Sequence, residues 1–73
     1  MEPKKLADFE MVFPVVQFFK YEHLPADKQA ASKPFGELAL HLCNTLPVNS
    51  ETTKALDLLL AAKDAAVRSS FMK

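Results

Sequence analysis

The chain has 73 residues, with nine basic and nine acidic side chains and a formal charge of zero. At that length it is one domain at most and buries only about 60% of its unfolded surface, which makes self-association the usual remedy for so small a core. A neutral balance argues against a DNA or RNA polymer as partner. The lone cysteine, Cys43, rules out an intrachain disulfide, and no Cys/His grouping has zinc spacing, so neither a metal nor a cofactor is expected.

Residues 1–25 read as an N-terminal arm and residues 26–73 as a helical hairpin domain. Pro3, Pro14 and Pro25 break the arm, since each removes a backbone donor and disfavours helix in the residue before it. The longest apolar run, Val12 to Phe19, contains Pro14 and Gln17 and falls far short of the ~20 residues that cross a bilayer. Glu2, Lys4 and Lys5 are not followed by a signal-peptide pattern. The reading is a cytoplasmic protein with reduced Cys43 and no membrane partner. Val15, Gln17, Phe19 and Tyr21 alternate with Val16, Phe18 and Lys20, which predicts an extended, strand-like stretch that must pack onto something.

Ala26–Ala31 fit a helical turn leading into Ser32, a candidate N-cap with Pro34 in the first turn. Phe35, Leu38, Ala39, Leu42 and Leu46 then mark one face of a helix over about residues 33–45. Pro47 stops it, and Asn49 or Ser50 caps a second helix over about residues 51–70. Leu56, Leu59, Leu60, Lys63 and Val67 form its apolar stripe beside the small residues Ala55, Ala62, Ala66 and Ser69. Asp64 stands four residues before Arg68, the favourable order for an ion pair. The predicted fold is all-α, an antiparallel helical hairpin with an extended or short-helical arm. Leu58, Leu60 and Phe71 lack an intrachain partner in such a unit, which points to a homo-oligomer.

Few residues suggest catalysis. His41 and Cys43 are two apart on a helix and do not face each other, and no nucleophile and base stand at a useful spacing. No catalytic residue is assigned. Binding has more candidates. Tyr21 either offers its ring to a planar ligand or is a half-buried anchor with a wet hydroxyl. His23 is a second ring or phosphate donor, or a solvated loop residue. Lys33 after Ser32 stands where a helix start would favour phosphate, or is simply solvated. Arg68, with Lys63 and Thr52 or Thr53, forms a second, weaker group, with pairing to Asp64 as its plain alternative.

The order Tyr21-x-His23-x-Pro25, a spacer, Phe35-x-x-Leu38-Ala39, a Leu46-Pro47 break and then Ser50-Glu51-x-x-x-Ala55-Leu56-x-x-Leu59-x-x-Ala62-x-x-Ala65-x-x-Arg68 resembles the hairpin domain of phage anti-CBASS and anti-Thoeris sponges over about residues 18–70. Tyr21-x-His23-Leu24-Pro25 and Ala62-Lys63-Asp64-Ala65-Ala66-Val67-Arg68 are also similar, and more closely, to short actinobacteriophage proteins that bring no mechanism with them. The sponge resemblance implies a hexamer in the host cytoplasm that binds cyclic oligonucleotide immune signals in shared pockets without cleaving them. It puts the stacking aromatic at Tyr21, a phosphate-binding base at Lys33, and a second pocket at Arg68 with Ser32. Glu22 separates Tyr21 from His23, which the family usually has adjacent, and Ala65-Ala66-Val67 replaces the family's Trp-Ala-Asn. A different class of function, a protein–protein interaction module whose apolar arm docks on a host protein, fits the composition as well.

Overall fold

Of the two forms expected for it, extended or short-helical, the arm takes the short-helical one. A computed structural model of the chain describes residues 4–72, so the first three residues of the arm and the last of the hairpin domain lie outside the described residues. Leu6–Phe9 form one 3-10 turn, started by the Lys5 backbone N–H donating to Asp8 Oδ2 at 2.8 Å. Pro14–Phe19 form a second 3-10 helix in place of the expected strand. Among the described residues there is no strand for it to pair with, and Pro14 presets the φ of a first helical residue. Its burial settles the period: Phe13, Val16 and Phe19 are the buried positions, three apart, as three residues per turn requires.

Helix α1 spans Ala26–Thr45, starting seven residues before the expected position. The correction follows from Pro25, whose carbonyl accepts the N–H groups of Lys28 and Gln29 at 2.9 and 2.8 Å. The Gln29 side chain donates to the carbonyls of Glu22 and Leu24, holding the turn that precedes the helix. Ala26–Ala31 are mostly good helix formers, so the helix runs straight into Pro34. That proline removes the donor for the carbonyl of Ala30, an exposed residue whose oxygen water can satisfy. Ser32 is therefore not an N-cap but an interior, fully buried residue.

The buried edge of α1 is a seam of Lys28, Ser32, Gly36, Ala39 and Cys43. Leu38 and Leu46, expected on the core face, are exposed, while Phe35 and Leu42 flank the seam. At Gly36 the arm crosses the helix so closely that a Cβ would lie 3.0 Å from the Phe19 carbonyl oxygen and 3.2 Å from two Tyr21 ring carbons. A small residue there is what lets the arm lie down.

Helix α2, Ser50–Ser69, follows a four-residue connection. Asn49 is its N-cap, accepting from the Thr52 N–H at 2.9 Å, and the buried Thr52 hydroxyl donates to the Pro47 carbonyl at 2.8 Å. Leu56 is fully buried, with Leu59 and Leu60 packed on the same cluster. Leu60 thus has an intrachain partner after all, whereas Leu58 and Phe71 are 63% and 70% exposed.

The two helices are packed against each other and run antiparallel, because the start of α1 meets the end of α2. There the buried Lys28 ammonium donates to the Ser70 carbonyl and hydroxyl at 3.1 and 2.9 Å, lies 3.4 Å from Asp27 and sits 3.5 Å from the Phe71 ring centre. A cation at a helix C-terminus satisfies the last carbonyls and complements the dipole. Among the described residues, no helix is long and apolar enough to cross a membrane.

Candidate functional site

Lys20 and Tyr21, where the arm leaves its second 3-10 helix, separate two open clefts. The larger, about 600 Å³, lies between the arm and the last turns of α2. Phe18, Leu24, Leu60 and Val67 supply its apolar lining, and Lys20, His23, Lys63 and Arg68 its basic groups. Phe18 reaches it because Phe19, its neighbour, turns into the core and leaves Phe18 56% exposed. Leu60, Lys63, Val67 and Arg68 share the cleft because steps of three and four residues keep them on one side of α2.

The charges in this cleft are only partly spoken for. Asp64 takes Lys63 at 3.1 Å instead of the expected Arg68, and among the described residues Arg68 makes no ion pair. The Lys63 side chain is 13% exposed, so its charge is better shielded from water than that of an ordinary surface lysine. Lys20 is held by Glu10 at 2.7 Å. Aliphatic stems with charged tips around an apolar floor suit a ligand that is both flat and anionic.

The smaller cleft, about 300 Å³, has Tyr21, Lys5, Leu6 and Leu40 in its walls, with Glu22 and Glu37 beside them. Tyr21 is half-buried and lies over Gly36, as an anchor would. Carboxylates balance the two lysines, so this cleft lacks the cationic bias of the larger one.

Of the five residues singled out in the sequence, His23 and Arg68 meet in the larger cleft although 45 positions separate them. Tyr21 lies across Lys20 from them in the smaller cleft. Lys33 lines neither cleft. It sits on the exposed surface in the interior of α1, 3.9 Å from Glu37, so the helix-start argument for phosphate does not apply to it. Ser32 is fully buried and its hydroxyl finds no hydrogen-bond partner. Thr52 is buried at the other end of α2 from Arg68, committed to the Pro47 carbonyl. Phe18 and Lys20 were not singled out by sequence. Their signal was the spacing of Phe13, Val16 and Phe19, which turns Phe18 and Lys20 outward once the three-residue period is recognised.

Cys43 is buried, and burial pushes its thiol above the ordinary cysteine range. A protonated thiol is a poor nucleophile, and the nearby His41 is exposed on another side of α1. Comparison with known proteins finds no family model that matches this chain, no matching curated protein and no matching solved structure.

Proposed function

We propose that this protein is a binding protein that sequesters a cyclic oligonucleotide signal without cleaving it, using the cleft between the arm and α2. The observation that carries the reading is the gathering of Lys20, His23, Lys63 and Arg68 around an apolar cleft that includes Phe18, in a chain with no net charge. Charge-assisted hydrogen bonds are the strong means of holding phosphate, and an aromatic face contributes about 1–3 kcal/mol per stacked base. The resemblance to phage sponge hairpins supplies the ligand class and a role in counter-defence within the host cytoplasm. In this reading Arg68 and His23 are the primary contacts, with Tyr21 at the edge and Lys33 and Ser32 outside. Exposed Met11, Val48 and Leu58 are surfaces for further copies, with a hexamer as the assembly the resemblance suggests.

The test is calorimetry with a panel of cyclic di- and trinucleotides. At least one should bind, and Arg68→Glu should weaken it by tenfold or more. The ligand recovered after heat release should be chemically intact. Thermal melts provide a second readout, since ligand at 100 times its Kd stabilises the folded state by about 2.7 kcal/mol. Absence of binding across the panel would sink the proposal. Light scattering checks the assembly, and an 8.1 kDa species at micromolar concentration would remove shared pockets from it.

The second reading, docking on a host protein, draws on the arm's tip, where Met11 is 95% exposed. Its original form is weakened because Phe13, Val16 and Phe19 are committed to the protein's own core.

A further inference from the structure

Lys20 is on the rim of both clefts, and its ammonium lies 2.7 Å from Glu10 Oε1. Glu10 comes from the turn between the two 3-10 helices, and Lys20 directly follows the second. That carboxylate oxygen is buried, and the ammonium is the one charged group paired with it among the described residues. The two side chains are 47% and 38% exposed, so the contact is a partly solvated ion pair. Pairs of this kind contribute little, and a phosphate oxygen can compete with the carboxylate for the same ammonium through a charge-assisted bond.

We propose that Glu10 is a built-in competitor at the ligand site: phosphate binds by drawing Lys20 away from Glu10, and the carboxylate left behind selects against ligands of high charge. This inference rests on the cleft being a phosphate site. A phosphodiester carries one charge on each phosphate and tolerates a nearby carboxylate. A terminal phosphate or pyrophosphate concentrates more charge and is repelled more strongly. Glu10 thus favours cyclic or internal phosphodiesters over free polyphosphates, so that abundant nucleoside triphosphates do not occupy the site.

The experiment is calorimetry at low ionic strength on the full chain, using cyclic di-AMP and inorganic pyrophosphate as probes. Four proteins are compared: the unaltered chain, Glu10→Gln, Lys20→Met and the double variant, each checked by circular dichroism for an intact fold. Glu10→Gln should tighten cyclic di-AMP about threefold and pyrophosphate by more, within the range a surface ion pair can withhold. Lys20→Met should weaken both probes; Gln at position 10 should then add nothing for cyclic di-AMP and keep only the part of the pyrophosphate gain that comes from direct repulsion by the carboxylate.

A cyclic di-AMP gain that persists undiminished without Lys20 would be a general charge effect and would overturn the competition. Unchanged affinity in Glu10→Gln, with Lys20→Met still weakened, would overturn the role of Glu10 while leaving the cleft in place. Equal gains for both probes would overturn the selection by charge. Failure of both probes to bind the unaltered chain and Glu10→Gln would overturn the phosphate site and the inference with it.

Discussion

Gly36 shows how much one residue fixes in a core this small. Replacing glycine by alanine in a helix ordinarily gains about 1 kcal/mol. Here the gain is opposed, because the added carbon meets a backbone oxygen at 3.0 Å and the Tyr21 ring at 3.2 Å, and the backbone cannot swing aside like a side-chain end. Gly36→Val, with two further methyl groups in the same space, should destabilise the protein by about 1–3 kcal/mol, the usual cost of overpacking. The chain has one tyrosine and no tryptophan, so its intrinsic fluorescence reports on the crossing directly. Denaturation followed by Tyr21 emission should show both lost stability and an altered native signal. An unchanged emission and midpoint would mean that the arm does not lie on α1 at this point.

Pro34 is the clearest misfit between residue and element, since it sits inside α1 without a backbone donor. The helix persists because the preceding Ala26–Ala31 are mostly good helix formers and because Ala30, which loses its bonding partner, faces water. Pro34→Ala should therefore stabilise the protein by about 1–3 kcal/mol, and urea denaturation monitored by circular dichroism checks it. A loss of stability would show that the proline's distortion is needed for the arm to dock.

Helix α2 was legible from sequence because its signals are local: a cap at Asn49 or Ser50, good helix formers and the stripe through Leu56, Leu59 and Leu60. The start of α1 was not, because Ser32-Lys33-Pro34 imitates a helix beginning and only the carbonyl of Pro25 and the hold of Gln29 reveal the true one. The strand-like reading of Val15–Tyr21 failed for a related reason. Alternation and a three-residue period both accommodate Val15–Tyr21, and the choice depends on whether a partner strand exists. For the site, pairing His23 with Arg68 required the docking angle of the arm, which is not written in any local spacing. The displacement of Lys33 followed from the misplaced helix start.

At the scale of the whole molecule, the arm and the hairpin share one core. Phe13, Val16 and Phe19 from the arm meet Ala39, Cys43 and Leu56 from the helices, so among the described residues half of the buried apolar ones precede α1. Leu59 and Leu60 pack against this shared cluster. Deleting residues 1–19 should accordingly abolish cooperative unfolding, since each lost aromatic core side chain typically costs about 3–5 kcal/mol and small domains have little more than that in total. Calorimetric melting of the truncated chain decides the matter. A sharp transition near that of the full chain would show that the hairpin stands alone.

The Lys28 contact with Ser70 and Phe71 carries a consequence for how the molecule moves. Two helices joined by one short connection ordinarily come apart from their free ends like an opening pair of tongs. Here the free ends are fastened to each other by residues 42 positions apart, so the pair is a closed ring with the connection at one pole and the lysine at the other. Helix ends usually fray first. In this protein the end of α2, just beyond the Val67 and Arg68 of the cleft, is tied through Ser70 to Lys28 at the start of α1.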